Sequence, residues 1–338
     1  MQLAMQLKTS DNQACYQGKI KMTKLFSTAL TTLVLSVGLA TSAQAGDAAS
    51  CQTVKLSDIG WTDVTATTAL TGAMLDAMGY KSDIKLLEVP VTFASMKNKD
   101  IDVFLGNWMP SMEADIKDYA ADGSVEVVSP NLPTGAFYTL AVPEYTYNKG
   151  LKDFADIAKF KDSLKGKLIG IEPGNDGNRH ILDMIKDPKF KLAGFELIES
   201  SEAGMLSEVA KSYQNKEDVI FLGWSPHPMN TTFKMKYLTG GDELFGPNMG
   251  AAVVNSTVRK GYGVECPNVG KLVKQLKFDV GMENEMMDQI LNKSADAKVT
   301  AIAYVKGHPD LLKPWLDGVT TFDGKGPALD AVKAVFMK

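Results

Sequence analysis

Hydrophobic residues in this chain come in short runs closed by Gly and Pro, and two of the runs read almost alike. One is Asp102-Val103-Phe104-Leu105-Gly106-Asn107-Trp108-Met109-Pro110; the other is Asp218-Val219-Ile220-Phe221-Leu222-Gly223-Trp224-Ser225-Pro226. A short run rich in Val, Ile and Phe fits a buried strand of a parallel sheet. The Gly and Pro behind it end the strand and turn the chain. Each Trp then falls just past the carboxyl end of a strand, where open α/β sheets take their ligands. Val54-Lys55-Leu56-Ser57-Asp58-Ile59-Gly60-Trp61 is a third version of the same pattern. Between these runs, Ala66 to Met78 has helical periodicity and stops near Gly79. Ile84 to Val89 reads as a strand closed by Pro90, Thr92 to Lys97 as a short helix and Asp102 to Leu105 as a strand. Met112 to Tyr119 follows as a helix and Val125 to Val128 as a strand. The β-α-β-α-β rhythm implies a parallel sheet with helices on its faces.

The rhythm breaks where Pro130, Pro133 and Gly135 cluster, and restarts after the apolar strand Ala136 to Val142. Lys167 to Ile171 is a strand that ends in the turn Glu172-Pro173-Gly174-Asn175-Asp176-Gly177-Asn178. Then come a helix from Arg179 to Ile185, a strand from Phe195 to Ile198, a helix from Ala203 to Gln214 and a strand from Val219 to Leu222. Tyr237 to Thr239 reads as one more short strand. A second punctuated stretch, Gly246-Pro247-Asn248-Met249-Gly250, precedes the apolar Ala251 to Val254. Helices at Val269 to Leu276, Glu283 to Leu291 and Ala295 to Val305 lead to the breakers Pro309, Pro314 and Gly318. The expected fold is α/β, with two lobes built on two parallel or mixed sheets flanked by helices and joined by two hinge crossings. Residues 46–134 and 250–338 form lobe I and residues 135–249 form lobe II. Such a clamshell closes around a ligand.

Residues 1–45 belong to neither lobe. From Met22 the chain has a basic start at Lys24, with Lys19 and Lys21 just upstream, an apolar stretch from Leu25 to Ala40, and the small-x-small triplet Ala43-Gln44-Ala45. That is the pattern of a secretory signal peptide cleaved after Ala45. Residues 1–21 look like an upstream extension, with Met22 the true start. The bulk composition changes little in this picture. The 338 residues are 45% hydrophobic, enough for two domains. Four of the 36 basic and one of the 40 acidic side chains lie in residues 1–45, which leaves 32 against 39 and a net charge of −7. A mildly acidic body without a basic tract gives no support for nucleic acid as a partner. Export also bears on the cysteines. Cleavage removes Cys15 and leaves Cys51 and Cys266, which in an oxidising compartment either pair or remain two unrelated buried thiols; pairing is the commoner outcome. With three His and no ligand-spaced Cys or His pair, no metal or other cofactor is expected.

Three of the four Trp sit in those repeated phrases, and they imply one shared site. Trp61 and Trp108 come from the first lobe and Trp224 from the second, with Tyr138 just after the first crossing as a fourth wall. Trp315, in Leu-Leu-Lys-Pro-Trp-Leu, is assigned to packing. Several ring faces suit a quaternary ammonium, whose methyl groups offer no ordinary donors. Each desolvated face contributes about 0.5–2 kcal/mol. Asp63 reads both as the N-cap of the helix after Trp61 and as the carboxylate that neutralises the cation. Asn175 reads both as a turn or cap residue and as an amide that meets a ligand hydroxyl; Asp176 and Asn178 are weaker versions of the same reading.

These residues also carry a resemblance. Gly60-Trp61-Thr62-Asp63, Gly106-Asn107-Trp108, Phe137-Tyr138, the stretch Gly-Ile-Glu-Pro-Gly-Asn-Asp-Gly-Asn-Arg at 170–179 and Leu222-Gly223-Trp224-Ser225-Pro226 together resemble the periplasmic choline-binding proteins of ABC importers, within the wider glycine betaine/choline substrate-binding family. The resemblance spans residues 50–338. It implies the two-lobed (type II-like) fold and an aromatic box of Trp61, Trp108, Tyr138 and Trp224. It further implies Asp63 against the ammonium, Asn175 against the hydroxyl, and delivery to a membrane permease. Choline is favoured over glycine or proline betaine because a buried Asp63 would repel the betaine carboxylate; a helix N-terminus after residue 175 argues the other way. Acetylcholine and betaines are expected as weaker ligands, and the protein as a periplasmic monomer. An esterase would need a nucleophile elbow, and Gly223-Trp224-Ser225-Pro226-His227 lacks the second Gly. No enzyme activity is therefore expected.

Overall fold

The computed structural model describes residues 46–338; the expected leader at residues 1–45 lies outside them. One mixed sheet of nine strands runs through the structure in the order β2-β1-β3-β9-β4-β7-β5-β6, with β8 paired to β4 off this path. β1 (Thr53–Asp58) lies parallel to β2 (Lys81–Leu86) and β3 (Val103–Met109). β4 (Val125–Pro143) lies antiparallel to β7 (Phe221–Ser225), β8 (Met235–Tyr237) and β9 (Ala251–Arg259). β5 (Lys167–Ile169) lies parallel to β6 (Glu196–Ile198) and β7. Instead of two separate sheets there is a single one, because β4 and β9 bridge its two ends. β4 is 19 residues long, whereas the sequence suggested two strands with a break at Pro130 to Gly135. The prolines sit where the β4–β9 register shifts, between Val127 and Ser129, between Pro130 and Leu132, and between Leu132 and Ala136. A bulged position needs no ladder donor, so Pro bends the strand there without ending it.

The helices that matter for the site are α1 (Thr62–Ala77), α2 (Val89–Lys97), α3 (Glu113–Ala121), α4 (Asp176–Lys186) and α5 (Glu202–Asn215). Pro90 opens α2 and does not close the preceding strand, so β2 ends three residues earlier than expected. Pro in the first turn removes only an N–H that has no partner there. α6 (Pro267–Gln275) shares a core with α1, and α1 buries 13 of its 16 residues because it is covered on one side by the sheet and on the other by α7 (Val280–Lys293), α8 (Ala297–Gly307) and α9 (Ala328–Phe336). Trp315 lies in that helical core with its indole N–H on the Lys277 carbonyl, at 3.0 Å. Cys51 and Cys266 are joined there as well, with their Cα atoms 5.8 Å apart and a sequence separation of 215.

Two strand ends differ from the sequence reading in an informative way. Gly106 and Trp108 lie within β3, and Gly223 and Trp224 lie within β7. Neither Gly turns the chain. A Cβ on Gly106 would come within 2.5 Å of the Val64 side chain of α1, and one on Gly223 within 2.9 Å of the Ala141 Cβ. Glycine here permits close packing against the strand, and the strand carries on to its Trp, two residues further in β3 and one further in β7.

Candidate functional site

The chain puts Trp61, Asp63, Trp108, Tyr138, Asn175 and Trp224 around one cavity, together with Ile171 and Asp176. The space these side chains enclose is small, so the occupant is a small molecule. Trp61 and Asp63 come from the start of α1 and Trp108 from β3. Tyr138 and Trp224 face each other across the antiparallel β4–β7 pair. Their rings meet edge to face: Trp108 and Tyr138 have centroids 6.2 Å apart at 62°, and Tyr138 and Trp224 6.3 Å apart at 85°.

Three of the four rings are held by a polar tip. The Trp61 indole N–H donates to Glu172 Oε1 at 2.9 Å, and that of Trp108 to Asp63 Oδ2 at 3.2 Å. The Tyr138 hydroxyl donates to Asn175 Oδ1 at 2.9 Å. Asn175 is the N-cap of α4, and the same oxygen accepts from the backbone N–H groups of Gly177 (2.8 Å) and Asn178 (3.2 Å). Gly177 is required beneath the tyrosine, since a Cβ there would collide with the Tyr138 hydroxyl.

The electrostatics of the cavity are one-sided. Asp63 is 3% exposed, and its Oδ1 has no hydrogen-bond partner. Burial, and then the charge of Glu202, push its carboxyl up to about 7. Burial also raises Glu172 to about 7 and Asp176 to about 6. Glu283, on α7, lies well above the usual carboxylate range because of burial and then the nearby Asp63 and Asp279. No Lys or Arg lines the cavity. The neighbouring Arg179 is paired with Asp115 at 2.6 Å. Carboxyls crowded into an apolar space resist ionisation unless a positive charge joins them, so the arrangement is built to hold a small cation. Among the described residues, no group of His, Cys, Asp or Glu is placed to hold a metal ion.

Several residues the sequence reading passed over join the two sides of the cavity. Glu202, the first residue of α5, accepts from the Thr62 backbone N–H at 2.8 Å and from the Thr62 hydroxyl at 2.7 Å. It thereby caps α1, whose N-cap is Trp61, without a capping side chain, and not Asp63, which lies two residues further in. His227 Nδ1 accepts from the Met229 N–H at 2.9 Å, which leaves Nε2 as the donor to Glu202 Oε1 at 2.9 Å. On the other flank, Arg179 donates to the Ser111 carbonyl oxygen at 3.1 Å. These partners lie 25 to 140 residues apart, beyond the reach of any local pattern.

An α/β fold on a curled mixed sheet, with a small cavity closed by side chains from both ends of that sheet, defines a two-lobed substrate-binding protein. Residues 52–307 match the OpuAC family, described as the substrate binding domain of ABC-type glycine betaine transport systems, and the chain belongs to that family. Among solved structures, an ABC-transporter choline binding protein in complex with choline is 56% identical; the match covers 85% of this chain and 99% of that one, with a TM-score of 0.83. An ABC-transporter choline binding protein in an unliganded semi-closed conformation has the same identity and coverage and a TM-score of 0.78. Among curated proteins, the uncharacterized protein ORF1 of Chromohalobacter salexigens is 46% identical over 131 residues, 39% of this chain and 84% of that protein. Among the described residues no helix is long and apolar enough to cross a membrane.

Proposed function

We propose that the protein captures choline in the periplasm, after export directed by residues 1–45, and delivers it to the permease of an ABC importer. It works as a monomer and takes acetylcholine and betaines more weakly. Residues 46–134 with 250–338, and residues 135–249, are the two lobes that close on the ligand. Trp61, Trp108, Tyr138 and Trp224 face the trimethylammonium group, Asp63 balances its charge and Asn175 frames the hydroxyl end. The observation that carries this reading is the buried Asp63 Oδ1, left without a partner in a ring-walled cavity that holds no cationic side chain. Three or four ring faces at about 0.5–2 kcal/mol each, plus a buried counter-charge, suffice for a micromolar complex of about −8 kcal/mol once ordering costs are met.

The acidic lining also favours choline over glycine betaine. A betaine brings its own carboxylate to a cavity lined by Asp63 and Asp176, with Glu172 beside them. The anion-attracting N-terminus of α4 gives it little help, because the Gly177 and Asn178 N–H groups are already taken by Asn175. Calorimetric titration of residues 46–338, stripped of carried ligand by unfolding and refolding, tests the reading. Micromolar or tighter choline with much weaker betaine is expected. Tight betaine with weak choline would move the function to osmoprotectant uptake.

A further inference from the structure

Glu202 belongs to the second lobe, yet its carboxylate works on the first. It is the first residue of α5, 4% exposed, and lies outside the lining of the cavity. Its own helix does not need it, because the Ser201 hydroxyl caps α5 by accepting from the Gly204 N–H at 3.1 Å. Oε2 of Glu202 instead accepts from the Thr62 N–H, and Oε1 from the Thr62 hydroxyl and from Nε2 of the buried His227. His227 in turn packs edge to face on Trp224, with ring centroids 4.7 Å apart. Thr62 stands between Trp61 and Asp63, so the contact that joins the lobes also fixes the residues on either side of it.

Closure of the lobes then has two opposed effects. It places a carboxylate at the N-terminus of α1, which favours negative charge, and forms charge-assisted hydrogen bonds there. It also brings that negative charge up to Asp63. Around Asp63 stand Glu202 from α5, Glu283 from α7 and the Trp108 N–H from β3, and Asp58 of β1 also feels Glu202. None of these groups is positive. Carboxylates brought together in a buried site resist joint ionisation, so the contact that closes the lobes is opposed until a cation arrives.

We propose that Glu202 is a specificity-determining residue that acts from outside the cavity: it bonds the start of α1 across the lobes and, by adding its charge beside Asp63, makes closure depend on a ligand of net positive charge. Choline, at +1, offsets the two carboxylates. Glycine betaine carries the same trimethylammonium group but no net charge, so it fills the cage without relieving them. The proposal rests on the choline reading and on the two lobes described above, and deepens that reading by naming a residue that selects on ligand charge without touching the ligand.

The test titrates choline and glycine betaine by calorimetry into the wild-type protein, Glu202→Gln and Thr62→Val, at pH 7 in two buffers of different ionisation enthalpy. Glu202→Gln removes the charge and keeps an acceptor oxygen. Thr62→Val removes one bond of the contact and keeps the charge. In Glu202→Gln the preference for choline over betaine should fall about tenfold, the equivalent of one pKa unit of charge interaction. Choline binding should also release fewer protons, because Asp63, at about 7 in the wild-type protein, sits lower without Glu202. Thr62→Val should weaken both ligands by the same factor and leave the proton count unchanged. Small-angle scattering of the wild-type protein gives a second reading that needs no variant: saturating choline should leave it more compact than saturating betaine. Equal compaction by the two ligands would overturn the proposal. So would an unmoved preference and proton count in Glu202→Gln, which would leave Glu202 a structural cap of α1. Failure of the wild-type protein to bind choline would sink the choline reading, and the proposal with it.

Discussion

The two walls of the cavity use the same parts for different ends. The wall from α1 and β3 has two indoles and Asp63, whose carboxylate is held only by the Trp108 N–H and is pushed up by burial and by Glu202. The wall from β4, β7 and α4 has Trp224, the hydrogen-bonded pair Tyr138 and Asn175, and Asp176, which burial raises while Ser111 and Arg179 pull it down, whose Oδ1 accepts from Asn175 and whose Oδ2 has no partner. The first wall is unstable as it stands and waits for a positive charge. The second is a finished frame with one open oxygen. The sharpest way to break this contrast is Asp63→Asn, which can keep the bond from Trp108 through its amide oxygen but removes the charge. Choline affinity should drop by about 3 kcal/mol, the cost of stripping one partner from a buried ion pair. Betaine, relieved of repulsion, should lose far less. Equal losses for the two ligands, measured by calorimetry, would mean that Asp63 only supports the start of α1.

Acid should reproduce part of that effect in the unaltered protein. With Asp63 at about 7, much of it is protonated at neutral pH. A bound cation favours the carboxylate, so binding expels a proton. Choline affinity should be nearly flat above pH 8 and fall as the pH drops through 7, by up to about tenfold per pH unit for one linked proton. Glu172 at about 7 and Asp176 at about 6 steepen the fall below that point. Titrations in two buffers of different ionisation enthalpy at pH 7 count the protons released. Asp63→Asn should release fewer, and a flat affinity profile in the wild-type protein would remove Asp63 from contact with the cation.

The aromatic part of the site was legible because each indole sits in a short apolar phrase that repeats. The phrase was less reliable as a guide to geometry. Glycine is a usual strand breaker, but Gly106 and Gly223 are small because Val64 and Ala141 press on the strand from outside, and contact partners do not show in a local pattern. Similarly, the prolines of β4 mark bulges and Pro90 marks a helix start, since what a proline does depends on where its missing donor would have pointed. Apolar periodicity places a helix at Ala66 to Met78 and misses the first turn of α1 from Thr62, since burial on nearly every side leaves no clean amphipathic stripe to mark where it starts. The polar supports were illegible for a plainer reason: Trp61 finds Glu172 across 111 residues and Thr62 finds Glu202 across 140. Asp176 did carry a signal, its place in the Asn-Asp turn before a helix, but whether its oxygen would be used or free depended on Asn175.

The smallest expected effect probes the finished wall. Tyr138→Phe keeps the ring that faces Trp108 and Trp224 and removes only the hydroxyl. Asn175 Oδ1 would still accept from Gly177 and Asn178, so the cap of α4 survives. Choline affinity should change by no more than about 1 kcal/mol, the net worth of one ordinary hydrogen bond, and its pH profile should not move. A loss as large as that of Asp63→Asn would mean that the hydroxyl itself reaches the ligand. The second wall would then be as unfinished as the first, with the Tyr138 hydroxyl one of the groups that meet the ligand.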